Sequence, residues 1–293
     1  MNVFLRCGVV LLIVAGLAGC SMSGKQNVPP VSDTAKVPVL GDLSYQDVLE
    51  RGGTVNNLGM SDQQIVWVGT KAGLYQSADG GNWGLVAPEL EYQDIVEWFV
   101  NPLNTREIIV AGQAGVMRSV DGGNHWTSIG EGLPVPAQIR CLAGYEKEGE
   151  LHLFAFVSGE GIYESTDSGE NWSLWLPMDQ EVYAMDYDPR EDRLYVAAQF
   201  SLFYYEDGEW KTDALPQAEQ TYSLSVDRRT GVLAVATEQG VYEKIDGEWQ
   251  LLDAKAPEKL IVVAPGEGET RWIGIGESAL IYTLIDDKWT KWN

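Results

Sequence analysis

The sequence predicts an all-β fold, a six-bladed β-propeller whose blades are four-stranded antiparallel sheets. Six tryptophans recur at intervals of 43, 46, 38, 39 and 40 residues, and a period of about forty is typical of stacked supersecondary units. Each tryptophan ends the same phrase: an apolar run, a small residue, a second apolar run and an Asp-Gly-type turn. The repeats lack helical periodicity, which excludes the helical solenoids. The six residues are Trp83, Trp126, Trp172, Trp210, Trp249 and Trp289.

The chain begins with a segment typical of an exported protein. Arg6 precedes an uncharged apolar run of 12 residues from Cys7 to Ala18. The run is too short for the roughly 20 apolar residues that span a bilayer, and it has the length of a signal-peptide core. We therefore expect a signal peptide over residues 1–19.

This run ends in Leu17-Ala18-Gly19-Cys20, which resembles a bacterial lipobox. The resemblance implies cleavage before Cys20 and acylation of its sulfur, so that the mature protein is a lipoprotein held by a lipid anchor. A plain secretory peptide cleaved after Gly19 is the alternative. The expected location is the bacterial cell envelope outside the cytoplasm, on the periplasmic side of the outer or inner membrane or at the cell surface. Residues 20–38, rich in Ser, Gly, Asn and Pro, are predicted to be a flexible tether.

The propeller is expected over residues 39–293, with repeats from about residue 54. Before the repeats, Ser44 to Glu50 could form one or two helical turns. Residues 37–43 could add an outer strand to the last sheet and so latch the ring. Otherwise Lys288 to Asn293 would finish that sheet alone.

Each repeat is expected to supply four strands. The second strand of a repeat is continuously apolar, as in Ile108-Ile109-Val110-Ala111 and Leu194-Tyr195-Val196-Ala197. A sheet with one wet face would alternate, so continuous runs indicate that neighbouring blades cover both faces. In the second repeat the four strands are predicted at Asp94 to Val100, Glu107 to Ala111, Gly115 to Val120 and His125 to Ile129.

The turns before the tryptophans carry a sharper motif. Ser119–Trp126 and Ser165–Trp172 match S-x-D-x-G-x-x-W, the Asp box, and Ser77–Trp83 matches it with one residue missing. The later repeats keep only its skeleton, as in Asp207-Gly208-Glu209-Trp210. We expect the Asp carboxylate to accept hydrogen bonds from its own turn, which leaves no calcium site, and the Trp to pack between sheets. The structural residues are Ser77, Asp79, Gly81, Trp83, Ser119, Asp121, Gly123, Trp126, Ser165, Asp167, Gly169 and Trp172.

From these motifs the chain resembles the bacterial neuraminidase (Asp-box) repeat superfamily over residues 54–293. That superfamily includes sialidases, sortilin-type receptors and the photosystem II assembly-factor family. In layout the chain is similar to exported sialidase-like or assembly-factor-like propeller lipoproteins. The resemblance implies the scaffold, and function has to be argued from the site.

Few residues suggest catalysis. The arginine-containing phrase near the N-terminus of sialidases is absent here, so sialidase activity is not expected. Another glycosidase would need only two carboxylates, roughly 5 to 9 Å apart. Glu160 with Glu181, or Asp94 with Glu160, could supply them, and these three are weak catalytic candidates. Since His125 and His152 are far apart in the sequence, neither a metal site nor a cofactor is expected.

The formal charge of −23 argues against nucleic acid as a partner. Either solubility or a basic partner would account for it. Cys141 lies in an apolar stretch and is predicted to be a core residue.

The loops between second and third strands and the crossings between repeats should form one mouth of the central channel, where propeller ligands usually bind. We expect a membrane-anchored protein-binding, assembly or scaffold module without catalysis, with protein partners in the envelope. The alternative is a carbohydrate-binding or glycoside hydrolase-type propeller with a glycan ligand. The predicted binding face comprises Gln113, Arg140, Tyr183, Gln199, Phe200, Tyr222 and Gln239.

Overall fold

Six antiparallel sheets, each of four strands that follow one another in the chain, make up the described protein. The computed structural model describes residues 41–292, except residues 62, 199 and 217–219. The predicted six-bladed β-propeller with four-stranded blades is confirmed. The predicted signal peptide, Cys20 and the tether lie outside the described residues. Within the described ranges, no helix is long and apolar enough to cross a membrane.

The first three blades follow a short helix, α1 (Tyr45–Gly52), and a 3-10 turn (Pro88–Leu90) joins the first blade to the second. Ser44 caps α1, and its hydroxyl accepts a hydrogen bond from the backbone N–H of Asp47. The strands are β1 (Val55–Met60), β2 (Val66–Thr70), β3 (Gly73–Ser77) and β4 (Gly84–Leu85) in blade 1; β5 (Ile95–Val100), β6 (Ile108–Gly112), β7 (Gly115–Ser119) and β8 (Thr127–Ile129) in blade 2; and β9 (Ile139–Lys147), β10 (Glu150–Val157), β11 (Gly161–Ser165) and β12 (Ser173–Pro177) in blade 3.

The last three blades have the same plan. The strands are β13 (Ala184–Asp188), β14 (Arg193–Ala198), β15 (Ser201–Glu206) and β16 (Glu209–Thr212) in blade 4; β17 (Thr221–Val226), β18 (Leu233–Thr237), β19 (Val241–Ile245) and β20 (Glu248–Leu251) in blade 5; and β21 (Leu260–Pro265), β22 (Trp272–Gly276), β23 (Ile281–Ile285) and β24 (Lys288–Lys291) in blade 6. The predicted strands of the second repeat agree with β5–β8 to within two residues.

The core lies in the seams between neighbouring blades. All five residues of β6, of β18 and of β22 are buried, as expected for second strands covered on both faces. The tryptophan of each blade packs in the seam with the preceding blade. Trp126 of blade 2, for example, packs on Leu74 and Leu90, which precede that blade in the chain.

Among the described residues, no strand is shared between the first and last blades. Leu43 pairs with Trp83 at the outer edge of blade 1, so Leu43 does not extend the last sheet, and the prediction is wrong at this position. The outermost described strand of the last sheet is β24. The hydroxyl of Tyr45 donates to the carbonyl of Ala279 in blade 6 at 2.8 Å. Trp292 meets Trp83 edge to face, with 6.0 Å between ring centroids. Helix α1 and these rings therefore close the seam between blades 6 and 1.

Two faces follow from the alternation of the strands. The mouth face carries the turns between second and third strands and the crossings between blades. Backbone hydrogen bonds join the two kinds of segment, as from Tyr92 N–H to the Ala72 carbonyl and from Gln138 N–H to the Gln113 carbonyl. The Trp-turn face, on the other side, carries the turns that precede the six tryptophans.

Candidate functional site

A central channel with a volume of about 770 Å³ runs along the first strands of all six blades. In five blades the first strand has a β-bulge at its mouth end, where the ladder skips one residue. Bulges re-aim side chains next to sites. The skipped residues line the channel; they are Asn56, Val96, Arg140, Tyr222 and Ile261.

The structure brings only part of the predicted binding face to the channel. Arg140, Tyr183 and Tyr222 line its mouth. Gln113, Phe200 and Gln239 lie on the turns between second and third strands and do not line the channel. Gln199 lies outside the described residues. The predicted face is thus two regions, a channel mouth and a surrounding rim.

Four large apolar side chains are exposed on the rim and the mouth. Tyr92 is 80% exposed, Val135 98%, Tyr183 52% and Phe200 63%. They belong to the crossings around blades 1 to 4 and to the β14–β15 turn. Three other exposed large apolar side chains among the described residues lie away from this face; they are Leu103, Val120 and Leu174. Leu251, 43% exposed, ends β20 beside Gly240 of the β18–β19 turn, at the outer edge of the mouth face of blade 5.

The mouth face of blades 5 and 6 has a different character, because its charges are engaged with one another. Lys259 Nζ lies 3.1 Å from a carboxylate oxygen of Glu277 and 3.7 Å from one of Glu238. The Tyr222 hydroxyl donates to Glu238, and Lys259 also lies over the Tyr222 ring, 5.2 Å from its centroid.

The three weak catalytic candidates each have a different hydrogen-bond donor. Glu160 accepts from the Tyr163 hydroxyl, Glu181 accepts from the Ser158 hydroxyl at 2.7 Å, and Asp94 accepts from the side-chain amide of Asn56 at 2.7 Å. Of the three carboxylates, only Glu181 lines the channel. They do not form a pair at the bottom of one pocket.

The channel contains a carboxyl group that the sequence analysis did not single out. Glu97, in β5, accepts hydrogen bonds on Oε1 from the side-chain amide of Asn57 and, at 3.2 Å, from the Trp98 N–H. Burial raises the pKa of Glu97 to about 8, and the negative charge of Asp186 adds to the rise, whereas the hydrogen bonds and Arg228 oppose it. Its signal in the sequence is an acidic residue inside the apolar run Ile95-Val96-Glu97-Trp98-Phe99.

A second channel group joins blades 4 and 5. Asp186, in β13, accepts from the N–H groups of Tyr187 and Val226, both at 2.8 Å, and from the Arg228 guanidinium at 2.9 Å. The Arg228 guanidinium lies over the Phe99 ring, 4.7 Å from its centroid. Arg228 lies in the segment between β17 and β18, on the Trp-turn face, and it also lines the channel.

The remaining titratable candidates have packing roles. Cys141 is buried, its Sγ contacts the Val182 carbonyl at 3.8 Å, and burial raises the pKa of its thiol. His152 stacks on Tyr145, with 5.0 Å between centroids. His125 is exposed and pairs with Asp121 at 2.6 Å. The described part of the chain contains no group of three or more His, Cys, Asp or Glu residues that could hold a metal ion.

The Ser–Asp turns, residues 77–83, 119–126 and 165–172, satisfy their own polar groups. In the third, Asp167 accepts from the Asn171 N–H at 2.9 Å, and the Ser165 hydroxyl accepts from the Gly169 N–H at 3.0 Å. The Trp172 indole N–H donates to the Gly169 carbonyl at 2.8 Å. These turns fix blade packing on the Trp-turn face, away from the channel mouth.

Comparison with known proteins identifies similar folds but does not identify a family for this chain. No family model matches the sequence, and no curated protein matches it. Among solved structures, an ancestral GH74 enzyme matches with a TM-score of 0.60 and 17% identity, over 82% of this chain and 40% of that one. YCF48 bound to D1 peptide matches with a TM-score of 0.55 and 17% identity, over 82% of each chain. A chain of the nidogen/laminin complex matches with a TM-score of 0.62 and 11% identity, over 77% of this chain and 91% of that one.

This chain spans about two fifths of the length of the ancestral GH74 enzyme. At identities of 17% and below, these likenesses show the fold alone. By fold the chain is a β-propeller of the kind found both in enzymes and in binding proteins.

Proposed function

We propose that this propeller is a non-catalytic binding module that docks a protein partner on its mouth face. The observation that carries the proposal is the set of exposed apolar side chains on that face: Tyr92, Val135, Tyr183 and Phe200. Aromatic side chains in an apolar patch with a polar rim are typical anchors of protein interfaces.

The distribution of the patch supports docking on one side of the mouth. Its members lie around blades 1 to 4, whereas the mouth face of blades 5 and 6 carries the ion pairs of Lys259. A partner that covers blades 1 to 4 would bury apolar surface without breaking that network. It would also cover the channel entrance, where Arg140 and Glu181 lie.

The carboxylates favour binding over hydrolysis. Glycoside hydrolysis needs two carboxyl groups that flank one bond. Glu160, Glu181 and Asp94 each accept from a donor of their own, and only Glu181 reaches the channel. The similar solved structures include YCF48 bound to a D1 peptide and a nidogen/laminin complex, which supports a protein partner for this chain as well.

A glycan-binding or glycan-cleaving propeller is the second candidate, and the similarity to GH74 enzymes favours it. Its carboxyl groups would be Glu97 and Glu181, which line the same channel. Incubation of the purified protein with a panel of polysaccharides tests it. Release of reducing ends that is lost in both Glu97→Gln and Glu181→Gln would replace the docking proposal with a hydrolase.

The anchor at Cys20 belongs to the same proposal. A lipid-modified Cys20 followed by a tether over residues 20–38 would present the mouth face near a membrane in the envelope. Fractionation of cells that express the full chain tests this. We expect the protein in the membrane fraction, and Cys20→Ser in the soluble extracytoplasmic fraction.

Quantitative affinity purification from solubilised envelopes tests docking. Two mouth variants, Tyr183→Ser and Phe200→Ser, are compared with two control variants, Leu174→Ser and Leu103→Ser. The controls remove apolar side chains that are 45% exposed on an outer strand and 74% exposed on a turn of the Trp-turn face. A partner should be depleted by the mouth variants and retained by the controls.

The partner so identified is then purified and titrated against each variant. Removing one aromatic anchor costs about 2 kcal/mol or more at an interface hot spot, so we expect at least a tenfold weaker Kd for Phe200→Ser. Equal Kd values for mouth and control variants would refute docking on this face.

A further inference from the structure

Glu97 has an acceptor oxygen that its protein partners leave available. Both hydrogen bonds that it accepts from described residues, from Asn57 and Trp98, reach Oε1. Glu97 lines the channel, and its Oε2 accepts no hydrogen bond from the described residues. A carboxyl group that lines a cavity and has one oxygen held in place is a preorganised acceptor.

Asp186, another acidic residue of the channel, is already compensated. Asp186 is neutralised by Arg228 at 2.9 Å and accepts two backbone N–H groups. At the entrance, Arg140 and Glu181 carry opposite charges. Glu97, by contrast, forms no ion pair with a described residue; Arg228 acts on it only as a nearby charge.

The chemistry of the wall around Glu97 selects the kind of cation. A hard metal ion prefers six or more oxygen ligands, and the described residues contain no group of three or more His, Cys, Asp or Glu that could hold one. An ammonium group needs only two or three acceptors. Besides Glu97, Asn56 can supply an acceptor, because it also lines the channel. Its amide nitrogen donates to Asp94 and to the Ile95 carbonyl, which leaves the amide oxygen as the acceptor.

The channel wall also suits the hydrocarbon chain of an alkylamine. Val96, Trp98 and Ile261 line the channel beside Glu97 and Asn56. A lysine-type stem packs on such apolar surface while its charged end reaches a carboxylate. The net charge of −23 raises the local concentration of cations around the molecule and at the channel entrance.

We propose that the mouth half of the channel binds a primary ammonium group, with Glu97 as its carboxylate partner and Glu181 at the entrance. The ammonium comes either from a free diamine or from a lysine side chain of the docked protein. In the second case the inference rests on the proposed function, because the mouth face must first hold the partner.

Binding of the ammonium moves one proton. Glu97 is largely protonated at neutral pH because its pKa is raised to about 8, mainly by burial. An ammonium within roughly 4–6 Å favours the carboxylate and returns its pKa toward the ordinary range. Glu97 then releases its proton to bulk water, and the ammonium keeps its own. The charges that modulate this step are Asp186 and Arg228 deeper in the channel and Arg140 and Glu181 at its entrance.

Calorimetry at pH 7 in two buffers of different ionisation enthalpy measures that proton. The probes are cadaverine, the peptide Ac-Gly-Lys-Gly-NH2, and the same peptide with norleucine in place of lysine. We expect release of up to one proton per bound ligand for the amines and no binding of the norleucine peptide. Glu97→Gln, which keeps the acceptor for Asn57, should abolish proton release and weaken binding at least tenfold.

Glu269→Gln is the matched control, because Glu269 is an exposed residue of the Trp-turn face that does not line the channel. It should bind the amines as the wild type does. Binding of cadaverine identifies a free diamine as a sufficient ligand, and binding of the lysine peptide alone identifies the side chain of a partner. If neither amine binds up to millimolar concentration, or if Glu97→Gln binds them as the wild type does, the inference is overturned.

The two proposals fail separately. If the partner isolated through the mouth face binds Glu97→Gln with an unchanged Kd and neither amine releases a proton, docking stands and the amine site does not. If the amines bind through Glu97 while Tyr183→Ser and Phe200→Ser leave every partner in place, the amine site stands and docking does not.

Discussion

The turns before the tryptophans differ between blades 1–3 and blades 4–6, although all six tryptophans lie in seams between blades. In blades 1–3 the turn supplies the acceptor for the indole. Trp83 donates to the Gly80 carbonyl at 3.0 Å, and Trp126 donates to the Gly123 carbonyl at 2.9 Å. These turns are long enough to fold back under the ring.

In blades 4–6 the turn is a two-residue hairpin loop. Asp246 and Gly247 have φ angles of 51° and 83°, and Asp207 and Gly208 have 52° and 85°. These positive values are those of a type I′ turn, which Asp-Gly favours. The sequence predicts that these turns are the skeleton of the longer motif, whereas in the structure they are turns of a different type.

In blades 5 and 6 the acceptor for the indole N–H lies outside the short turn. Trp249 donates to a carboxylate oxygen of Asp213 at 3.0 Å, and Trp289 donates to the Ala254 carbonyl at 3.1 Å. Asp213 and Ala254 both lie in the crossing that leads into the blade of the tryptophan. In blades 5 and 6 the crossing therefore supplies the acceptor that the turn does not.

Blade 5 adds a cation to this arrangement. Lys244 pairs with Asp213 at 2.5 Å and lies 5.6 Å from the Tyr195 ring, 5.8 Å from the Tyr204 ring and 5.7 Å from the Trp249 ring. The side chains of Lys244 and Asp213 are only 13% and 11% exposed. The seam between blades 4 and 5 thus depends on a nearly buried ion pair, whereas the seams before blades 1–3 depend on self-bonded turns.

Truncating Trp172 should give the largest effect. Trp172, 5% exposed, fills its seam, so Trp172→Ala should cost about 3–5 kcal/mol of unfolding free energy through lost burial and a cavity. Trp249 is only half-buried, and Trp249→Ala should cost about 2 kcal/mol. Urea denaturation measures both. Equal losses would contradict the difference between the two kinds of seam.

Removing the buried cation should rank second. Lys244→Met leaves the Asp213 carboxylate buried without its partner and should cost about 3 kcal/mol. Adding Asp213→Asn removes the unpaired buried charge and keeps an oxygen that can accept from the Trp249 indole. The double variant should therefore recover most of the lost unfolding free energy. A double-mutant cycle by urea denaturation measures the coupling. Additive losses would mean that the ion pair does not hold this seam.

The sequence predicted the ring because its signals are local. The period of the tryptophans and the apolar second strands follow from packing between neighbouring blades, which every repeat needs. Glu97 and Asp186 were missed because a residue acquires its role in the channel only when its strand is known to be the first of a blade. Ring closure also depended on distant contacts, such as that of Tyr45 with Ala279 in the last blade.

Replacing single turn carboxylates should have a smaller effect. Asp167→Asn turns a charged acceptor of backbone and side-chain hydrogen bonds into a neutral one and should cost about 1 kcal/mol. Asp246→Asn, the matched control, keeps a residue that type I′ turns favour and should change stability by less than about 0.5 kcal/mol. Thermal melting of both variants measures the difference. A larger loss for Asp246→Asn would reverse the ranking of the two turns.

The smallest expected effect is the dependence of the Ser–Asp turns on acid. The Asn82 N–H lowers the pKa of Asp79, and the His125 side chain lowers that of Asp121. The pKa of Asp167 is also lowered, because its hydrogen bonds from Asn171 outweigh burial. A carboxyl with a lower pKa in the folded state stabilises the fold fully above the unfolded value of about 3.9, and this contribution is lost as the pH falls through the folded pKa.

We therefore expect the wild type to lose more melting temperature between pH 6 and pH 3 than a variant with Asn at positions 79, 121 and 167. The difference should be modest, because these carboxylates are largely exposed and screened by solvent. The variant with Asn at positions 207, 246 and 287 controls for the loss of three negative charges. If both triple variants reduce the loss of melting temperature between pH 6 and pH 3 equally, the effect comes from net charge. The self-bonded turns of blades 1–3 would then contribute nothing of their own to it.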